Sequence, residues 1–186
     1  MTETKERTYT DWLVHAVKER SDVRSALRMG DIPQREAMAE RYLLTRSGEW
    51  GIDARRLHAA LIAQNPRIVD SKNSRDGLGD VLRRLTRGPS GMARDTVEEK
   101  IVLLQRQRLR AAHQTIRSLL RAASANGRIV HLNVESLLWI YLQWDKDGPR
   151  YPQRREILRH YYRSEATDES KNDTKPSPIE TAESHV

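Results

Sequence analysis

Residues 106–121 read RQRLRAAHQTIRSLLR, and the five arginines in this stretch are the side chains best suited to chemistry in the sequence. A guanidinium offers forked donors that match phosphate, and it stays charged at any physiological pH. On one continuous helix, at about 100° per residue, Arg106, Arg110, Arg117 and Arg121 fall within roughly a 60° arc. Ile101, Leu109, Ala112, Ile116, Leu119 and Ala123 gather on a different arc, and Arg108 lies near the far edge of that apolar face. Exposed helices usually pair such cations with glutamates four residues away. Between Lys100 and Ala123 there is no Asp or Glu, so the arginines repel one another unless an anion is bound. The spacing predicts a row of phosphate contacts in place of an ordinary solvated face. Such contacts supply affinity without reading bases.

Other chemistries find less support. His15, His58, His113, His131, His160 and His185 are dispersed, with no H-E-x-x-H and no pair at metal-ligand spacing on one helix. GLGDVL lacks the third glycine of a dinucleotide fingerprint, and GPSG lacks the Lys and Ser/Thr of a phosphate-cradling loop. Glu98 and Glu99 in a first helical turn suit the macrodipole better than a metal. With no cysteine there is no disulfide, thiolate metal site or cysteine nucleophile. The expectation is a protein without catalysis and without a cofactor. Trp139 and Trp144 could stack bases, but the Leu-rich stripe around them suits a core. Tyr161 and Tyr162, beside Arg159 and Arg163, suit either a partner or the core.

The elements that must position these residues are helical almost throughout. TDWLVHAVKER opens with a Thr or Asp cap, SDVRSALRMG runs from a Ser cap to Gly30, and Pro33 opens PQREAMAERYLLTR. DARRLHAALIAQ places Leu57, Ala60, Leu61 and Gln64 along one side before Pro66. NPRIVDSKNSRD reads as a loop, and GLGDVLRRLTRG as a short helix ending at the GPSG break. TVEEKIVLLQRQ starts at a Thr cap with a capping-box Glu, NVESLLWIYLQW at an Asn cap, and YPQRREILRHYY at a first-turn Pro. RIVHLNV is a short strand candidate, read here as a loop.

With 37% hydrophobic and 32% charged residues, the 186-residue chain suits amphipathic helices better than a thick sandwich or a doubly wound sheet. Phe is absent, so aliphatic residues and Trp and Tyr rings must fill the interior, with Trp as anchors. The reading is an all-α, two-lobed helical bundle, with lobes at residues 1–90 and 91–163. Residues 164–186 form an acidic tail of charge −4, expected to be disordered, and the rest of the chain carries +11. A body this basic favours polyanions. No apolar run approaches a membrane span and no leader pattern opens the chain, which fits a soluble cytoplasmic protein.

The order of features resembles the CasB family, the small subunit of the type I-E Cascade complex of CRISPR immunity. The matching features are ALR at Ala26–Arg28, IP at Ile32 and Pro33, EW at Glu49 and Trp50, and LHAALIA from Leu57. They continue with LGDVLRRL from Leu78, EEKIVLLQR at Glu98–Arg106, IRSLL from Ile116 and LLWIYLQW at Leu137–Trp144. No one of these is specific; their order and spacing over residues 10–163 are. Two departures stand out: Leu27, Arg28 and Met29 where the family often has LRR, and DGLG at Asp76–Gly79 where it has SLG.

The resemblance implies an all-helical, two-lobed, non-enzymatic subunit. It would work as a pair of copies beside other Cascade subunits, holding target and displaced DNA strands while guide RNA reads sequence. Family basic positions align with Arg56, Lys100, Arg106 and Arg117, and more loosely with Lys72, Arg75 and Lys146. Arg110 and Arg121 come from the arginine row alone. The family breaks its helix near positions 107–111, where this sequence has neither Gly nor Pro. Two alternatives stay open: a helix-turn-helix regulator reading DNA through GRIVHLNVESLLWIYLQW, and a helical scaffold docking acidic protein surfaces.

Overall fold

The computed structural model describes residues 2–65, 67–87, 91–125, 127–146 and 154–163. The periodic apolar segments form helices: α1 (Thr2–Glu19), α2 (Ser21–Arg28), α3 (Glu36–Ser47), α4 (Ile52–Gln64), α5 (Leu78–Leu85), α6 (Arg94–Leu104), α7 (Leu109–Ala125) and α8 (Val134–Gln143). A further helix, α9, covers residues 154–163. Pro33 opens a 3-10 turn, Pro33–Arg35, that leads into α3. The Asn133 side chain caps α8, accepting from the Ser136 amide at 2.8 Å. The fold is all-α in class, as expected.

Several local expectations are corrected. α1 starts before the Thr10 and Asp11 cap candidates. α6 begins at Arg94, with Ala93 as N-cap, so Thr96 lies in the first turn instead of capping it. The two segments read as loops each contain a strand: β1 (Ile68–Asp70) and β2 (Val130–Leu132) pair in parallel, Ile68 opposite Val130 and Asp70 opposite Leu132. Three residues are too few to show a period, and each strand needs the other for its hydrogen bonds. Asp70 then accepts from the Val134 amide at 3.1 Å, tying the pair to the start of α8.

α4 is the central helix. From Ala54 to Ala63 every residue is buried, not only the side expected from its pattern, because α2, α3, α7 and α8 all pack on it. Among the tryptophans, Trp144 is a buried anchor and Trp12 and Trp139 pack part-buried on the core, but Trp50 is exposed. Tyr161 is buried and Tyr162 exposed.

Apolar residues on both sides of the expected 90/91 boundary join one cluster that runs from Tyr9 to Tyr161. Most of the GPSG break (residues 88–90), Pro66, the start of YPQRREILRHYY and the acidic tail 164–186 lie outside the described residues.

Candidate nucleic-acid interface

The single helix assumed for the arginine row is two. α6 stops at Leu104 and α7 starts at Leu109, so Arg106 sits in the turn between them. Neither Gly nor Pro makes this break; tertiary contacts do. The Asp145 carboxylate accepts from the Leu109 amide at 3.1 and 3.2 Å, capping α7 from another part of the chain. Trp144 Nε1 donates to the Gln107 carbonyl at 2.9 Å, and Arg154 Nη1 to the Gln105 carbonyl at 3.1 Å. A continuous helix would need those carbonyls for itself.

Within α7 the arc persists for three cations. Leu109, Ala112, Ile116, Leu119, Leu120 and Ala123 are buried, while Arg110 and Arg121 are exposed and Arg117 half-buried. The expected lack of counter-charges does not hold there. Arg110 Nη2 lies 2.6 Å from Glu36 Oε1, and Arg117 Nη1 lies 2.6 Å from Asp31 Oδ2. Both carboxylates come from the segment between α2 and the first turn of α3, far outside the i±4 window that the sequence pattern covers. The Arg110 guanidinium, opposed by burial and assisted by Arg56, holds the Glu36 carboxyl below its ordinary range.

Arg56 differs most from its expected role as a surface contact. Its side chain is 1% exposed. Nη1 reaches Glu36 at 2.5 Å and donates to the Gly30 carbonyl at 2.6 Å, Nη2 meets Asp53 at 2.5 Å, and Nε makes an unaligned ion-pair contact with Glu40 at 3.3 Å. The guanidinium thus ties α4 to α3 and to the end of α2, and it offers no free side to a strand.

The remaining candidates are exposed. Lys72, after β1, is paired with Asp11 at 3.0 Å and Asp70 at 3.1 Å; against the pull of burial these carboxylates raise its ammonium pKa. Arg75 lies in the 3-10 turn Ser74–Asp76, Lys100 on α6, Arg106 in the break, Arg121 on α7 and Lys146 just past α8. Among the described residues these five have no carboxylate partner. Lys146 Nζ instead lies 5.4 Å from the centre of the Trp50 ring.

Behind the α7 arginines, His113 is buried, with Nδ1 3.2 Å from the Tyr141 hydroxyl and Nε2 3.5 Å from Asp31. Burial, only partly opposed by Asp31, pushes it down to about 4. His58 Nε2 lies 3.1 Å from the Val134 carbonyl, and burial pushes this ring down to about 3. Both are neutral at pH 7 and serve packing. Among the described residues no group of His, Asp and Glu could hold a metal ion, and no helix is long and apolar enough to cross a membrane. The site can therefore present fixed positive charge to an anion.

Pattern reasoning missed Asp31 and Glu36, which organise the cations, and the exposed Trp50. No local signal marks the two acids, whose partners lie 86 and 74 residues away. Trp50 had entered only in the EW pair of the family resemblance and among the rings expected to anchor the interior, and its exposure corrects that expectation.

No family model matches the chain, and no curated protein matches it in sequence. Solved structures do match in fold. A chain of a CRISPR RNA-guided surveillance complex superposes with a TM-score of 0.71 at 20% identity, over 91% of this chain and 98% of that one. A CRISPR-associated protein of the Cse2 family from Thermus thermophilus gives 0.62 at 19% identity, over 84% of this chain and 97% of its own. CasB of M. ruber gives 0.60 at 20% identity, over 87% and 97%. The helical arrangement that carries these cations is thus the fold of Cse2 and CasB proteins of CRISPR systems.

Proposed function

We propose that this chain is the small, non-catalytic subunit of a CRISPR RNA-guided surveillance complex of the Cascade type. It binds nucleic acid without sequence preference and stabilises target and displaced DNA strands during R-loop formation in antiviral defence, in the cytoplasm. Its partners are DNA, guide RNA, the other Cascade subunits and a second copy of itself. Its N-terminal and C-terminal lobes share one core. The observation that carries this reading is the near full-length fold match to a chain of such a complex. Charge supports it: strand exchange is nearly balanced in free energy, so backbone contacts that hold the displaced strand tip it forward.

Arg75, Lys100, Arg106, Arg121 and Lys146 are ready to meet phosphates, having no carboxylate among the described residues. Lys72, Arg110 and Arg117 would exchange a carboxylate for a phosphate. Arg56 acts by holding Glu36 in place. α8, the reading helix that a helix-turn-helix regulator would need, buries Val134, Leu137, Leu138, Ile140, Tyr141 and Leu142 and has no exposed residue, so it presents no free face to a groove.

Salt titration of binding to unrelated DNA and RNA sequences tests the proposal. Affinity should be alike across sequences and fall steeply with salt. Lys100→Ala, Arg106→Ala and Arg121→Ala should each lower the logarithmic slope by about 0.7 to 0.9. A preferred sequence would indicate a regulator, and indifference to both nucleic acids a protein-docking scaffold; either result overturns the proposal.

A further inference from the structure

Trp50 is 49% exposed, and it is fixed where it stands. It lies in the turn between α3 and α4, bounded by Gly48 and Gly51, both at positive φ (70° and 66°). A side chain at Gly51 would put its Cβ 2.5 Å from Leu142 Cδ2, so this turn lies directly against α8. Arg55, itself 2% exposed, donates from Nε to the Trp50 carbonyl at 3.1 Å. Its guanidinium carbon lies 5.5 Å from the Trp50 ring centre and 5.0 Å from that of Tyr9. Lys146, which follows α8 and is exposed, also lies over this ring, with Nζ 5.4 Å from its centre, so a base that stacks there takes the place of the Lys146 ammonium.

We propose that the exposed indole of Trp50 is a stacking platform for one unpaired base of a single-stranded nucleic acid, with Lys146 meeting the adjoining phosphate. This rests on the nucleic-acid reading above and names the form of nucleic acid this part of the surface takes. Three physical points carry it. Bases stack on indoles irrespective of sequence, because every base has a π-face. A duplex covers those faces with its own neighbouring pairs and offers only edges in its grooves, so the platform selects single strands. An apolar protein partner laid on Trp50 would strip water from Lys146 without supplying a counter-charge, whereas a nucleotide brings the charge along with the ring. Exposed Leu44 and Met38 on α3 are not evidence of this kind, since single exposed apolar side chains are ordinary.

The test uses the full chain and three probes: an oligothymidylate, the same backbone carrying abasic sites, and an unrelated duplex. Trp50→Ala should weaken oligothymidylate binding about fivefold or more and leave duplex binding within about twofold. The wild type should prefer oligothymidylate to the abasic strand, and the variant should not. Trp50→Phe should keep most of the affinity while losing the fluorescence quenching that oligothymidylate causes in the wild type. Lys146→Ala should lower the single-strand salt slope by about 0.7. Unchanged oligothymidylate affinity in Trp50→Ala, an equal loss on duplex, or a defect confined to assembly with protein partners would each overturn the inference. If Trp50→Ala does not fold by circular dichroism, quenching in Trp50→Phe equal to the wild type overturns it. A wild-type protein that binds no nucleic acid overturns the proposed function as well; one that binds but ignores Trp50 overturns this inference alone.

Discussion

Replacing Arg56 by alanine separates a structural cation from the binding ones. The side chain is 1% exposed and holds Glu36, Glu40, Asp53 and the Gly30 carbonyl. Removing one partner of a fully buried ion pair costs about 3–5 kcal/mol, because the other charge is left uncompensated. Here the acids are not fully buried: Glu36 and Glu40 are 26% and 31% exposed and keep part of their hydration. Asp53, at 78% exposed, adds little, about 0.5 kcal/mol at most. The Gly30 carbonyl loses a donor, worth about 1 kcal/mol or more, and Arg110 still neutralises Glu36 at 2.6 Å. These terms place the loss near 3 kcal/mol, or about 6–12 °C in Tm for a chain of this size.

Urea denaturation followed by circular dichroism measures that loss. Nucleic-acid affinity, measured well below both melting points, should remain within about twofold of wild type. A variant destabilised by less than about 1 kcal/mol, yet as weak for DNA as Lys100→Ala, would refute the assignment of Arg56 as a pivot and return it to the binding surface.

Two further outcomes follow from the packing. His58 and His113 are held neutral by burial at about 3 and about 4, against 6.5 when unfolded, so between about pH 6.5 and 4 the unfolded chain binds more protons. Stability is then complete above pH 6.5 and falls on acidification, with a slope of up to about 1.4 kcal/mol per pH unit for each ring; urea midpoints measured across this range should show it, and His113→Gln should flatten it. Gly79→Ala should lower Tm sharply. A Cβ there would overlap the Ile157 carbonyl and lie 2.8 Å from His160 Cβ, so α5 and α9 would have to part, and an unchanged melting curve would contradict the observed packing.

How much of this was legible beforehand varies by element. α8 was, because Asn133 caps a dense apolar run and both signals are local. β1 and β2 were not, since each is three residues long and its partner lies about sixty positions away. The α6/α7 break was hinted at only by family resemblance. Its cause is Asp145, Trp144 and Arg154 taking over the amide and carbonyls of residues 105–109, which no window around those residues contains. Arg121 and Lys100 stand exposed and Arg56 buried, a difference that no local pattern marks and that only the helices around α4 decide.

By itself, the sequence determined the helical class, the positive charge of the body and which faces of α7 are apolar, because these depend on residue type and a 3.6-residue period. Tertiary structure alone decided which cations remain free. Counter-charges act through space, and folding brought Asp31 and Glu36 to Arg117 and Arg110 while leaving Lys100, Arg106 and Arg121 without a carboxylate among the described residues.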